Sequence, residues 1–117
     1  MPTTITIKDS VIDKVYGGVS SAGIGGSRIG QDNTKDQDIN IYISNSNITA
    51  FGGYFGAGIG SGYDTHCHTP EFFPITTIEI TGDSVITATG GKYAAGIGTG
   101  FHAGGLAGFI EDSVTVN

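Results

Sequence analysis

The chain has 117 residues, the length of one domain, and a formal net charge of −6 from 11 acidic and 5 basic side chains. This charge argues against binding to nucleic acid, which requires a basic surface, and against docking on anionic membranes. The single cysteine, Cys67, excludes an intrachain disulfide framework, and no stretch has the apolar length of a membrane-spanning helix. No signal peptide is visible, because a strand pattern begins at Thr3.

A glycine-rich repeat occurs three times along the chain. Each copy begins with Ile-x-Ile, passes a serine and a second apolar pattern, reaches a Gly-Gly pair and ends in Ala-Gly-Ile-Gly. The Ala-Gly-Ile-Gly segments lie at residues 22–25, 57–60 and 95–98. We divide the single predicted domain, residues 1–117, into repeats at about 4–38, 39–75 and 76–108 and a partial fourth copy at 109–117.

The spacing of the copies favours a solenoid. Their marker serines, Ser10, Ser46, Ser84 and Ser113, are 36, 38 and 29 residues apart, while the interval from Gly-Gly to Ala-Gly-Ile-Gly is constant. Insertions therefore fall in one variable loop per coil. The period of two in Ile-x-Ile and the enrichment in Ile, Val and Thr indicate strands, and the glycine pairs end them at corners. We predict an all-β fold, a parallel β-helix (β-solenoid) of about three coils.

Equivalent residues of stacked coils lie about 4.8 Å apart and form columns of like side chains. The repeat predicts four isoleucine columns, which together make a narrow apolar core. Their members are Ile5, Ile41 and Ile78; Ile7, Ile43, Ile80 and Ile110; Ile12, Ile48 and Ile86; and Ile24, Ile59 and Ile97. The alternative is a β-sandwich in which the repeats are coincidental.

The pattern Ile-Thr-Ala-x-Gly-Gly-x-x-x-Ala-Gly-Ile-Gly is matched by residues 48–60 and 86–98. It resembles the glycine-rich repeats of bacterial cell-surface proteins that have a right-handed parallel β-helix fold. The first copy departs from it, with one more residue at 13–16. The resemblance implies an extracellular or cell-surface location and an adhesive or fibre-like role, and it carries over no catalytic residues.

Metal-binding residue types are concentrated in the loop after the second copy. Asp64, His66 and His68 stand close to Cys67 and Glu71, and imidazole, thiolate and carboxylate groups are ligands for Zn²⁺ or Cu²⁺. The spacing matches no structural zinc pattern. The alternative is a variable surface loop without a cofactor, which we favour.

Aromatic residues recur at matching or neighbouring positions of the second and third copies. Phe55 aligns with Tyr93, and Tyr63 aligns with Phe101, while Tyr54 precedes Phe55. We expect small aromatic columns on the outside of the solenoid. Such columns stack on sugar rings, or they pack against loops or neighbouring subunits.

The two end coils are expected to expose strand edges and core columns. The residues concerned are Ile5 and Ile7 in the first copy and Ile110, Val114 and Val116 in the fourth. Docking of the fourth copy of one chain on the first copy of the next is a non-closing contact, which produces a filament of identical subunits. The alternative is a segment of a surface adhesin that binds a glycan.

Catalysis is not predicted. Carboxylates are available at Glu79, Asp83, Glu111 and Asp112, but three coils give little length for a substrate groove. We therefore expect a protein without enzymatic activity.

Overall fold

A computed structural model of the chain describes residues 3–26, 38–63, 75–100, 106–110 and 114–116. Within these ranges all regular structure is β-strand, and all strand pairs are parallel. No helix with the length and apolarity needed to cross a membrane occurs in this part of the chain.

The strands form three parallel sheets. The first sheet contains, in order, β1 (Thr3–Lys8), β4 (Ile39–Ser44), β7 (Thr76–Thr81) and β10 (Leu106–Ile110). The second contains β2 (Val11–Tyr16), β5 (Asn47–Phe51), β8 (Val85–Thr89) and β11 (Thr115–Val116). The third contains β3 (Ile24–Gly25), β6 (Ile59–Gly60) and β9 (Ile97–Gly98).

Each coil contributes one strand to each sheet in turn, and the next coil repeats the order one strand further along. The first three coils are complete in this sense, and the fourth consists of β10 and β11 in the described residues. This arrangement confirms the parallel β-helix of about three coils. The fourth coil begins at Leu106, slightly before the start of the partial copy in the sequence.

The four predicted isoleucine columns are confirmed by the strand registers. Ile41 pairs with Ile5 on one side and Ile78 on the other, and the other three columns continue from coil to coil in the same way. Six isoleucines in these columns are 0 or 1% exposed: Ile41, Ile43, Ile48, Ile59, Ile80 and Ile86. Full burial of one such side chain contributes about 1.5–3 kcal/mol, so these columns form the main apolar core.

The corner between the first and second sheets is built by one residue in the left-handed conformation. Asp9 and Asn45 have φ values of 51° and 47°, and Gly82 has 70° in the third coil. These are the residue types that accept this conformation most readily. The Asn45 side chain also accepts a hydrogen bond from the backbone N–H of Asp83, at 3.0 Å. The corner therefore turns at the same place in each of the three coils.

A column of serines follows this left-handed residue. Ser46 and Ser84 are 2% and 1% exposed. The Ser46 hydroxyl accepts the backbone N–H of Ser10 at 3.1 Å, and the Ser84 hydroxyl accepts the N–H of Ser46 at 3.1 Å. Each hydroxyl in turn donates to a carbonyl oxygen of its own coil, on Ser44 and Thr81, at 2.8 Å. The serine column therefore links successive coils through side chains as well as backbone.

The fourth coil does not follow the serine alignment. Thr115 pairs with Val85 and Val116 with Ile86, so Val114, and not Ser113, stands at the position of Ser84. The prediction from the serine spacing was wrong by one residue here. The observed register places Val116 on the apolar column of Ile86, whereas the serine alignment places the polar Thr115 there. The apolar column decides the register.

A β-bulge accounts for the extra residue of the first copy. Ile12 pairs with Ile48 and Val15 pairs with Ala50, so two residues of β2, Asp13 and Lys14, lie opposite Thr49 alone. The bulge accommodates the extra residue locally, and the pairing on either side of it is preserved. Val15 consequently returns to the core side, where it packs against the buried isoleucines.

The third sheet depends on glycine. Gly25, Gly60 and Gly98 form one column with φ values of 134°, 142° and 143°, a region that side chains with a Cβ rarely adopt. A Cβ on Gly60 would also collide with the carbonyl oxygen of Gly98 in the next coil. The coils approach this closely because no side chain separates them.

We predict that Gly60→Ala lowers the free energy of unfolding by at least about 3 kcal/mol, from backbone strain and the collision with the next coil. Gly18→Ala is the matched control, because its added Cβ would lie 3.9 Å from the nearest non-adjacent atom, in ordinary contact. We expect a change below about 1 kcal/mol there. Urea unfolding followed by circular dichroism measures both; equal effects would contradict the close-approach explanation.

We also predict that Ser46→Ala lowers the free energy of unfolding by about 1–3 kcal/mol, because the half-buried N–H of Ser10 loses its acceptor. Ser20→Ala is the control, since the Ser20 side chain forms no hydrogen bond within the described residues. The same unfolding assay applies, and a Ser46→Ala variant as stable as the control would refute the role of the serine column.

Candidate functional site

The first coil presents an open strand edge. Each of β1, β2 and β3 has a single neighbour among the described strands, on the side of the second coil. The same coil exposes three large apolar side chains: Val11 is 75% exposed, Val19 is 69% exposed and Tyr16 is 66% exposed. These are the most exposed large apolar residues of the described chain. The open edge is therefore also an apolar one.

The fourth coil presents the opposite edge. Phe109, Ile110 and Val116 are 52, 43 and 49% exposed. Phe109 lies on the outer side of the sheet, in the column of Thr6, Tyr42 and Glu79. Exposed apolar side chains thus occur at both ends of the stack.

The structure places four of the five predicted end residues on core columns, and it places Val114 on the serine column. Ile5 and Ile7 are half-buried and pack against the buried isoleucines, and Val114 does the same at the other end. Ile110 pairs with Ile80, and Val116 pairs with Ile86. The sequence interpretation did not include four exposed apolar residues at the ends: Val11, Tyr16, Val19 and Phe109. The alternation of inner and outer residues along a strand could have identified Val11 and Phe109, because each precedes an isoleucine of a core column and therefore faces outward.

A second candidate surface is the aromatic cluster formed by Tyr54, Phe55, Tyr63 and Tyr93. Phe55 stacks on Tyr93 with ring centroids 5.9 Å apart and planes 13° from parallel, and it stacks on Tyr63 at 4.9 Å. Tyr54 meets both Phe55 and Tyr93 edge to face, at 4.7 and 5.7 Å. The four residues therefore form one continuous group across two coils. Phe101, the fifth aromatic residue of the prediction, lies outside the described residues.

A lysine completes the aromatic cluster. The Lys92 amino group lies 5.5 Å from the centroid of the Tyr93 ring and 5.9 Å from that of Tyr54. This range is that of a cation–π interaction. Tyr54 and Tyr93 are 45 and 48% exposed, whereas Phe55 and Tyr63 are less exposed. The accessible part of the cluster is thus two tyrosine rings beside one positive charge.

A further aromatic pair occurs on the second sheet. Tyr16 stacks on Phe51 with centroids 4.9 Å apart and planes 11° from parallel. The sequence interpretation did not pair these residues, because the extra residue of the first copy obscures their equivalence. The bulge in β2 restores it and brings Tyr16 opposite Phe51.

The outer face of the first sheet carries a shallow depression of about 140 Å³. The residues that line it include Thr6, Thr81, Tyr42 and Glu79. Tyr42 is 37% exposed. The depression is open to solvent.

The predicted metal loop, with Asp64, His66 and His68, lies outside the described residues, as do Cys67 and Glu71. Within the ranges that the structure describes, no group of three or more His, Cys, Asp or Glu side chains is placed to hold a metal ion.

The repeat has a counterpart among known protein families. The family model described as beta helix repeat matches residues 5–28, 41–63 and 78–101, one segment in each of the first three coils. No curated protein and no solved structure matches the chain. The matched segments make up more than half of the chain, and each runs from the first sheet to the end of the third. The chain therefore belongs to the beta helix repeat family.

Proposed function

We propose that the chain is a structural, non-enzymatic subunit that self-associates end to end, with the fourth coil of one copy docking on the first coil of the next. The observation that carries this proposal is the pair of open, apolar strand edges at opposite ends of one parallel stack. Strand edges of this kind are templates for adding a further strand.

The two edges match position by position. If the register of the stack continues across the junction, Ile110 of one copy meets Ile7 of the next, and Val116 meets Ile12. Gly108 then meets Ile5. The columns of Ile7 and Ile12 continue through the junction, whereas the column of Ile5 meets a glycine there. Burial of the exposed apolar surface of the end coils would drive the association.

The direction of the strands determines the type of assembly. Because all strands of the stack are parallel, the last edge of one copy is equivalent to the edge that any coil offers to its successor. Addition is head to tail and leaves the same two edges free at the ends of every oligomer. Such contacts give filaments rather than closed dimers.

The junction relies on two of the three sheets. The fourth coil supplies strands to the first and second sheets, while the third sheet ends at β9 in the described residues. We expect an association held by β10 and β11 against β1 and β2. The resemblance of residues 48–60 and 86–98 to cell-surface repeats supports a location outside the cell or on its surface, where a fibre of such subunits would be displayed.

We predict that the purified protein forms concentration-dependent oligomers and that Val116→Asp weakens the association on the order of 100-fold, because it buries an unpaired charge in an apolar column. Asn47→Asp places the same charge on an exposed position of the second coil and serves as the control. Sedimentation velocity over a range of concentrations measures both. A wild-type protein that stays monomeric at every concentration would exclude the proposal.

A second candidate function is carbohydrate binding by the aromatic cluster. Two half-exposed tyrosine rings beside Lys92 offer flat surfaces and hydroxyl groups to a sugar ring. In this function the chain acts as an adhesive segment, and the end-to-end contact is not required.

For this second candidate we predict binding to a glycan array that becomes about tenfold weaker in Tyr54→Ala and in Tyr93→Ala, from the loss of ring stacking. Tyr42→Ala is the control, because Tyr42 is an exposed tyrosine on the first sheet, outside the aromatic cluster. Wild-type binding no greater than background on every glycan would count against this function.

A further inference from the structure

We propose that Ser10 and Val11 form a two-bond clamp that fixes the register in which a second copy docks on the first coil. The clamp would hold the backbone of Val114 of the incoming copy. This inference rests on the end-to-end association proposed above and identifies the residues that give it specificity.

The serine column supplies the first bond. The backbone N–H at the serine position of one coil donates to the serine hydroxyl of the next coil, from Ser10 to Ser46 and from Ser46 to Ser84, at 3.1 Å in both cases. Each hydroxyl therefore receives its hydrogen bond from the preceding coil. Ser10 is the first member of the column, and its hydroxyl would receive a bond from a coil placed before it.

The residue after the serine position supplies the second bond. Its N–H donates to the carbonyl oxygen at the serine position of the preceding coil. Three such bonds occur, from Asn47 to Ser10 at 2.9 Å, from Val85 to Ser46 at 2.9 Å and from Thr115 to Ser84 at 2.8 Å. Val11 is the equivalent residue of the first coil. Its N–H would donate to a coil placed before the first.

The first coil has both groups in place. The Ser10 hydroxyl donates to the carbonyl oxygen of Lys8 at 2.7 Å, and it accepts no hydrogen bond from the described residues. Val11 is 75% exposed on the same edge. The acceptor, the Ser10 hydroxyl, and the donor, the Val11 N–H, belong to adjacent residues. Together they can bind the N–H and the C=O of one incoming residue.

The fourth coil offers that residue. Val114 stands at the serine position, because Thr115 pairs with Val85. If the stack continues, the Val114 N–H donates to the Ser10 hydroxyl of the next copy, and the Val114 carbonyl accepts the Val11 N–H. Both bonds use backbone groups of the incoming chain, so the absence of a serine hydroxyl at this position does not matter.

The clamp adds specificity that the apolar columns lack. If the incoming strand shifts by one residue, every side chain turns to the wrong face and the apolar side chains leave the core. A shift of two residues preserves the alternation of inner and outer side chains, so the apolar columns alone do not prevent it. The Ser10 hydroxyl is a fixed point on the edge, and only the correct register brings the Val114 N–H opposite it. A two-residue slip moves Val114 away from it and leaves both clamp bonds unmade.

Disulfide trapping between two single-cysteine chains measures the register. In a Cys67→Ser background, Thr6→Cys in one chain is mixed with Phe109→Cys in the other, since these outer positions belong to one column. Neighbouring strands lie about 4.8 Å apart, within disulfide range. Thr4→Cys with Phe109→Cys reports a two-residue slip, because the correct register separates these positions by roughly 8 Å.

We expect the 6–109 disulfide to predominate with Ser10 present. Ser10→Ala should raise the dissociation constant of the assembly about two- to tenfold and increase the proportion of the 4–109 disulfide. Ser10→Thr retains the hydroxyl and should behave as the wild type, and Ser20→Ala is the control for the same change elsewhere in the first coil. Val11→Pro removes the second donor without removing a bond to the second coil, and it should also increase the slipped product.

The outcomes separate the two proposals. Absence of assembly in the wild-type protein overturns the end-to-end association and the clamp with it. Assembly with unchanged affinity and an unchanged ratio of disulfides in both Ser10→Ala and Val11→Pro overturns the clamp alone. Thermal unfolding of each variant shows that the comparison is made between folded chains.

Discussion

In-register stacking of successive coils is the constraint on which this structure depends. Strands of neighbouring coils lie about 4.8 Å apart, so each position must accept its own equivalent above and below. Isoleucine meets this requirement in the core, where Ile41 and Ile48 are fully buried between like neighbours. Glycine meets it in the third sheet, where Gly60 leaves no room for a Cβ. Serine meets it at the corner, where the Ser46 hydroxyl joins two coils.

Stacking also makes the two ends of the molecule different from each other. At the serine column each hydroxyl accepts from the preceding coil, and the N–H of the next residue donates to the preceding coil. The first coil therefore offers one set of hydrogen-bonding groups there, and the fourth coil offers the complementary set. The proposed association uses this polarity: it adds a coil from a second copy where the chain's own coils would otherwise continue. The aromatic cluster lies on the side of the stack, so sugar binding and end-to-end docking use separate surfaces.

The core could be predicted from the sequence because each column repeats one residue type at a nearly constant interval. Two features could not. The register of the fourth coil follows Val116, which covers Ile86. Ser113 was a misleading marker because it comes three residues after Ile110 in the sequence, whereas Ser84 comes four residues after Ile80. The bulge at Asp13 and Lys14 hid the pairing of Tyr16 with Phe51, since residue counting alone does not show where an extra residue is absorbed. Exposure at the ends depends on which faces the neighbouring coils cover, and this is a property of the folded stack.

Electron microscopy of the concentrated wild-type protein, with helical reconstruction, tests the central claim most directly. Four strands of the first sheet at about 4.8 Å each give an axial repeat of roughly 19 Å per subunit if one copy continues the stack of the next. We predict filaments with this repeat and unbroken strand spacing across the junctions. Compact particles of single chains, or filaments whose repeat does not correspond to four stacked strands, would contradict the account.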